Sequence, residues 1–404
     1  MTDYSIAEAA RRAGADEAFI EGLITLGVIR ARTNQRLTAA DVRRVQLNRT
    51  LENAGIPLEG VAAMMQRGEL SMDFLETPTY ERFSTLSDVT FAALAGRKGI
   101  PLDLLMVIRE ATGSAVPQPT DFLREDELQI VPFLELQLKL GFRPSAIERL
   151  LRVTGDSLRR IALQEADWWF SEVMGPRIAQ GMSMSAAANS TEPFNEELTS
   201  RAEAALLATW HANQSYAWTN NIITGLEQTL AQAGLYTKLE RPPAMCFLDI
   251  TGYTRLTQER GDAAAAEMAG QLSRLVQRTS SRYAGKPVKW LGDGVMFYFA
   301  NPGPGVVAAL DMLEGVAAAG LPPAHVGLHA GPVLFQEGDY FGQTVNVASR
   351  IAEYARPGEV LVSQAVVDAC READATFTAI GPVELKGVTG AIELLAAHRG
   401  ASPA

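Results

Sequence analysis

Met245-Cys246-Phe247-Leu248-Asp249-Ile250-Thr251-Gly252-Tyr253-Thr254 is the stretch that decides the fold. An apolar run of strand length ends on a carboxylate and passes into a glycine-containing turn. A second stretch has the same build: Lys289-Trp290-Leu291-Gly292-Asp293 ends on Asp293, and the apolar run Val295-Met296-Phe297 follows. Two carboxylates at strand ends, each facing a glycine turn, suit a pair of hard divalent cations beside a triphosphate. Such cations need few protein ligands, because phosphate and water supply the rest.

Strands alternate with helices from Ala244 onward. Strands are expected at Met245–Ile250, Pro287–Leu291, Val295–Phe299, Val326–Ala330, Val333–Gln336, Val360–Ser363, Thr376–Leu385 and Ile392–Ala397. Helices are expected at Asp262–Tyr283, at Gly305–Ala319 and from near Thr344. This βαββαβ order predicts an α+β, ferredoxin-like sandwich with C-terminal additions.

Further residues in this region carry chemistry. Asp339 stands seven residues before Asn346, and Arg350 follows four after it. On a helix, Asn346 and Arg350 share one face. The arginine can neutralise charge on a phosphate, and the asparagine can hold a sugar hydroxyl. Lys289 lies four residues before Asp293, and Lys386 sits in Leu385-Lys386-Gly387-Val388-Thr389-Gly390.

Three of these segments carry a resemblance: Phe247-Leu248-Asp249-Ile250-Thr251-Gly252-Tyr253-Thr254, Lys289-Trp290-Leu291-Gly292-Asp293-Gly294, and Gly342-Gln343-Thr344-Val345-Asn346-Val347-Ala348-Ser349-Arg350. From Pro243 to Ala397 the chain is similar to the class III adenylyl and guanylyl cyclases. The resemblance implies that Asp249, Asp293 and the Ile250 carbonyl bind two Mg²⁺ or Mn²⁺ ions. It implies that the turn amides of Gly252, Tyr253 and Thr254 cradle phosphates, and that Lys386 binds the terminal phosphates. Lys289 and Asp339 match the two positions that read the purine. Lysine can donate to a ring nitrogen of adenine and aspartate can accept from its exocyclic amine, so the pair implies ATP. Asn346 and Arg350 match the pair that orients the ribose and stabilises the transition state. Trp290 and Gln343 depart from the residues common at their positions. In this family the metal aspartates and the Lys/Asp/Asn/Arg set meet across a subunit interface, which implies a head-to-tail homodimer. The expected activity is conversion of ATP to 3′,5′-cyclic AMP and pyrophosphate.

Upstream the pattern is helical. Residues 1–76 predict a small helical head, 77–240 a helical regulatory region with a long linker helix, and 241–404 the catalytic domain. Ser5-Ile6-Ala7-Glu8-Ala9-Ala10-Arg11-Arg12-Ala13-Gly14, Leu23-Ile24-Thr25-Leu26-Gly27-Val28-Ile29 and the stretch from Arg36 to Val61 resemble the winged helix-turn-helix head of MerR-type regulators. A helix from Ala39 to about Ala54 is expected, with Thr38 as its N-cap. The second helix reads Asp16-Glu17-Ala18-Phe19-Ile20-Glu21-Gly22-Leu23, acidic and apolar, where a DNA reader would carry basic or amide side chains. Residues 1–76 hold 9 arginines against 11 acidic residues, a net of −2. The head therefore reads as degenerate, used for protein contact or sensing. Trp168, Trp169, Phe170, Met174, Met182 and Met184 read as ordinary helical core or as a pocket for an apolar ligand such as a lipid. Gly181–Phe194 is expected as a mobile loop. Asn195–Ala233 is expected as one long helix, with a break near Asn220.

Composition bounds the rest. The chain has 404 residues, 47% hydrophobic and 21% charged, with a net charge of −11. That charge argues against general attraction to nucleic acid. Arginine outnumbers lysine 30 to 6, yet lysine stands at 289 and 386. No run reaches the roughly 18–20 apolar residues of a membrane span, and the N-terminus lacks the build of a signal peptide. Cys246 and Cys370 match no metal or redox spacing, and the four histidines form no zinc pattern. Both features fit a cytoplasmic protein. Two rival readings are weaker. A diguanylate cyclase needs a Gly-Gly-Asp/Glu-Glu-Phe hairpin, which Leu291-Gly292-Asp293-Gly294-Val295 is not. A DNA-binding regulator with an inactive cyclase domain has no need of both aspartates and Arg350.

Overall fold

The computed structural model describes residues 4–30, 36–76, 85–235, 242–252, 258–259, 261–291, 294–336, 338–370 and 375–400. The chain divides into two compact units, Met1–Thr224 and Gly225–Ala404.

The first unit begins with helices α1 (Ile6–Ala13), α2 (Glu17–Thr25), α3 (Ala39–Asn53) and α4 (Leu58–Gln66). Local chemistry sets their starts. Ser5 and Glu8 form a capping box on α1, and Thr38 and Asp41 form one on α3. Each satisfies backbone donors that a bare helix end leaves open. Ile20, Leu23, Ile29, Leu37, Val42 and Val45 are buried at the centre of this head.

A second core follows, built by β1 (Leu86–Thr90), α5 (Phe91–Lys98), α6 (Leu102–Ala111), β2 (Phe122–Arg124), α7 (Glu125–Lys139) and α8 (Pro144–Trp169). Phe91, Leu105, Ile108, Leu123, Leu134 and Ile147 fill it. β1 and β2 pair antiparallel. This short ribbon adds to a region read from periodicity as helical. Arg109 ties the pieces: it donates to Glu127 and to the Phe122 carbonyl, each at 2.7 Å.

A π-helical turn, Phe170–Met174, then α9 (Gly175–Ala179), α10 (Met184–Asn189) and α11 (Glu192–Gln232) complete the helical series. Two expectations are corrected here. Gly181–Phe194 is no long loop, because Ser183 caps α10 with its hydroxyl accepting from the Ala186 amide. α11 runs unbroken past the site of the expected break. Of the aromatic cluster, Trp168 and Phe170 are exposed and Met174 is buried. The Trp169 ring lies 6.3 Å from that of Phe194.

The second unit holds β3 (Ala244–Ile250), α12 (Asp262–Arg282), β4 (Lys286–Leu291), β5 (Gly294–Phe299), α13 (Pro302–Ala318), β6 (Ala324–Ala330), β7 (Leu334–Gln336), β8 (Asp339–Phe341), α14 (Gln343–Tyr354), β9 (Val360–Ser363), α15 (Gln364–Ala369), β10 (Ala375–Glu384) and β11 (Ala391–Arg399). Seven strands form one sheet in the order β10-β11-β9-β6-β3-β5-β4. The segment β6-β3-β5-β4 is antiparallel throughout and has the strand order of a ferredoxin-like βαββαβ unit. β9 joins β6 in parallel and extends the sheet toward the C-terminus.

The two faces of β3 explain its unbroken apolar run. Ala244, Cys246, Leu248 and Ile250 pack with Leu272, Val276, Val306 and Met312 from α12 and α13. Met245 and Phe247 pack with Met296, Ala348 and Ala352 beneath α14. A strand buried on both faces has no place for polar residues until it ends. Asp249 comes where it ends, on the α14 face by the period of two. Burial pushes the Cys246 thiol well above its ordinary range, so it is an inert core residue.

Candidate active site

Cross-strand register places the candidate residues in rows on the α14 face of the sheet. His325, Asp249 and Gly294 form one row across β6, β3 and β5. Gly327, Phe247, Met296 and Lys289 form the next, reaching β4. Lys289 owes its place to a β-bulge between Pro287 and Lys289, where the register with β5 shifts by one residue. Strict alternation along β4 would send Lys289 to the opposite face. A bulge of this kind re-aims a side chain.

The end of β3 is built for close approach. The Asp249 side chain is 45% exposed, while the strand behind it is buried. A Cβ at Gly294 would sit 3.1 Å from Asp249 Oδ1 and 3.1 Å from the Leu248 carbonyl, so glycine leaves the space that the carboxylate uses. His325 Nε2 lies 3.7 Å from Asp249 Oδ2, and its Nδ1 lies 3.3 Å from Thr251 Oγ1. Gly252, at φ +78, turns the chain away from the strand in the left-handed region that favours glycine. Asp293, Tyr253 and Thr254 lie outside the described residues.

The donors present fit a hard divalent cation. The Asp249 carboxylate and the Ile250 carbonyl at the strand end offer oxygen, and the gap over Gly294 keeps the carboxylate clear. No cluster of three His, Cys, Asp or Glu side chains suited to a metal forms among the described residues. A cation carried by a triphosphate does not need one.

Lys289 and Asp339 meet. The lysine ammonium donates to Asp339 Oδ2, and Asp339 Oδ1 accepts from the Tyr340 amide at 2.8 Å. The side chains are 41% and 23% exposed. An ion pair this open contributes about 1 kcal/mol or less to folding. It presents one donor and one acceptor side by side at the surface, which is what recognition of a base edge uses.

Asn346 and Arg350 lie on α14. Thr344, Val347, Ala348, Ile351 and Ala352 bury its inner face, so Asn346 falls on the outer side and is exposed. The Arg350 guanidinium, 39% exposed, pairs with Glu353 one turn on. Lys386 is exposed after β10, next to Gly387 at φ +76. Of the predicted set, Lys289 and Asp339 are thus in direct contact. Asp249, the Asn346/Arg350 pair and Lys386 stand on separate elements. His325, Gly294 and Glu353 were missed by sequence reasoning. Only the glycine carried a local signal, as a small residue next to a candidate carboxylate.

Residues 235–396 match the family described as the adenylate and guanylate cyclase catalytic domain. A pH-sensitive adenylate cyclase of Mycobacterium tuberculosis is 32% identical over 170 residues, covering 40% of this chain and 42% of that protein. An adenylate cyclase of Streptomyces coelicolor is 26% identical over 276 residues, 67% of this chain and 68% of that one. Among solved structures, the adenylyl cyclase CyaB from P. aeruginosa aligns with a TM-score of 0.35 at 20% identity, covering 40% of this chain and 95% of that chain. The chain spans about two-fifths of the length of the Mycobacterium relative. The region that folds as the seven-stranded sheet is therefore a class III adenylyl/guanylyl cyclase catalytic domain. Its relatives named here are adenylate cyclases of actinobacteria. No helix among the described residues is long and apolar enough to cross a membrane.

Proposed function

We propose that this protein is a cytoplasmic adenylyl cyclase that converts ATP to 3′,5′-cyclic AMP and pyrophosphate. The observation that carries the choice of ATP is the Lys289–Asp339 pair, a donor beside an acceptor. Adenine presents the complementary edge, a ring-nitrogen acceptor beside an exocyclic amine donor. Guanine presents N1–H where the lysine would need an acceptor, and a donor facing a donor leaves both unpaired.

Asp249, Asp293 and the Ile250 carbonyl would hold two divalent ions, Mg²⁺ or Mn²⁺. When bound, such ions lower the pKa of the ribose 3′-hydroxyl and offset the charge of the triphosphate. Asn346 holds the ribose so that its 3′-oxygen lies in line with the α-phosphorus. Arg350, freed from Glu353, meets the charge that develops on the α-phosphate. The amides of Gly252, Tyr253 and Thr254, with Lys386, hold the leaving pyrophosphate. The 3′-oxygen forms a bond to the α-phosphorus, the bond to the bridging α–β oxygen breaks, and the hydroxyl proton leaves to solvent.

A head-to-tail homodimer supplies the metal aspartates from one protomer and Lys289, Asp339, Asn346 and Arg350 from its partner. The helical region before the sheet regulates the enzyme by biasing the pose of the two protomers. Misplacement of a composite site by about 1 Å can cost on the order of 100-fold in rate. Protons or an apolar ligand such as a lipid are its proposed signals. The relative from Mycobacterium tuberculosis carries pH sensitivity in its name, and exposed Trp168 and Phe170 offer apolar surface. The MerR-like head serves protein contact or sensing, since its second helix carries acidic Glu17 and Glu21.

The activity is tested by giving the purified chain ATP and GTP in parallel, with Mg²⁺ or Mn²⁺. Cyclic AMP and pyrophosphate in equal amounts are expected; cyclic GMP as the main product contradicts the reading. Regulation is tested by comparing the full chain with one starting at Pro242. Identical kinetics across pH and with lipid vesicles would remove the regulatory role.

A further inference from the structure

The Lys289–Asp339 pair joins two separate elements. Lys289 stands on β4 of the main sheet, whereas Asp339 opens β8. β7 and β8 form a separate two-stranded ribbon of three residues each. Such a ribbon is marginal by itself and needs packing to fix its place. The ion pair is too exposed to supply much of that.

An aromatic stack supplies it. The ring of Tyr340, the residue after Asp339, lies 4.6 Å from that of Tyr298 with the planes 9° apart. Phe335 of β7 packs on the same Tyr340 ring at 4.9 Å. Tyr298 is on β5, opposite Met245 and Lys286, one row along from the row of Met296 and Lys289. Both tyrosines join the small core beneath α14, with Met296, Ala348 and Val345. The stack thus binds the ribbon to the sheet one row from Lys289, and the Tyr340 amide holds Asp339 Oδ1. Burial, with Tyr298 beside it, pushes the Tyr340 phenol up to about 12, so the ring is uncharged near neutral pH.

We propose that the Tyr298–Tyr340 stack is a positioning clasp that sets Asp339 against Lys289 and thereby determines discrimination for the exocyclic amine of adenine. The inference rests on the reading of Lys289 and Asp339 as the base readers. Neither tyrosine is assigned contact with the reacting atoms. Each acts through Asp339.

The test uses equilibrium binding of two nucleotides that lack the 3′-hydroxyl and cannot cyclise: 3′-deoxy-ATP, and the 3′-deoxy triphosphate of purine riboside, which has no exocyclic amine. The wild-type chain should prefer the first by roughly tenfold or more, as a site built to accept a hydrogen bond does. Tyr340→Leu and Tyr298→Leu should reduce that preference to about twofold by weakening 3′-deoxy-ATP alone, while Tyr340→Phe keeps it. Equal loss for both nucleotides means that the tyrosines merely support the fold, and an unchanged preference in both leucine variants means that Asp339 is placed without them. Either result overturns the proposal. A wild-type chain with no preference overturns the base readers and the clasp together. A preference without any cyclic AMP formation from ATP overturns the activity and leaves the clasp standing.

Discussion

Gly294 lies directly across from Asp249 in the β3–β5 ladder, and a Cβ there would stand 3.1 Å from the aspartate Oδ1. The contact is tighter than a carboxylate and a methyl group accept without a shift. Gly294→Ala should therefore press on the carboxylate and, at the same 3.1 Å, on the Leu248 carbonyl of β3. The shift needed is a few tenths of an ångström, so turnover should fall by less than the roughly 100-fold that about 1 Å costs at a reacting centre. Half-saturation with Mn²⁺ should move to higher concentration, and thermal unfolding should stay cooperative. Unchanged metal dependence in this variant would separate Asp249 from the metal site.

Lys289→Glu exchanges the donor for a carboxylate that faces Asp339 and, in the proposed pose, an adenine ring nitrogen. The loss in kcat/KM for ATP should be on the order of 100-fold or more. Stability should barely change, because the ion pair is open to solvent and contributes about 1 kcal/mol or less. Steady-state kinetics beside a melting curve separates the two effects. Equal ATP kinetics in wild type and variant would show that Lys289 does not read the base.

In the proposed composite site, Asp249→Ala and Arg350→Ala damage opposite halves. Each homodimer should be inactive. A mixture forms heterodimers in which one site carries both lesions and the other neither, so part of the activity should return. The fraction recovered is read against the heterodimer fraction, measured with two affinity tags. No recovery in demonstrated heterodimers would place each site within one chain.

His329 gives the catalytic domain a pH-dependent stability. Its Nδ1 lies 2.7 Å from Ser363 Oγ, and burial holds the imidazole below its ordinary value of 6.5. As pH falls past 6.5, the unfolded chain takes up the proton before the folded one. The contribution is present above that pH and is lost as pH falls through the lowered folded value. Urea midpoints should therefore drop between pH 7.5 and about pH 5.5, and His329→Gln should lessen the drop. Parallel curves for the two proteins would assign the dependence to other groups.

The strands of the catalytic domain were legible where burial on both faces wrote an apolar run, as in β3, β5 and β9. Val360–Ser363 was read with both its bounds. Among short elements, β7 shows in Val333–Gln336, whereas β8 and α15 leave no mark in the sequence. β8 has three residues and α15 six, too few to show a period. The bulge beside Val288 was hidden for a related reason: the residues of β4 fit a regular strand, and the shift exists only in the pairing with β5. Asn346 and Arg350 were legible as an i, i+4 pair, a spacing that a helix turns into one face. His325 beside Asp249, Glu353 on Arg350 and the Tyr298–Tyr340 stack were not, since each is a contact that folding makes and no motif spells. The small and polar residues of 181–194 hide the α10 start, although a serine before Met184-Ser185-Ala186 is an ordinary helix cap.

One chemical event at the end of β3 defines the proposed enzyme. Its most direct measurement is cyclic AMP formed from ATP by the purified wild-type chain and by Asp249→Ala, side by side, in saturating Mn²⁺. The expected result is cyclic AMP with one pyrophosphate for each in the wild type, and a loss of several orders of magnitude in the folded variant. No cyclic AMP from the wild type, or near-normal turnover in Asp249→Ala, would contradict it.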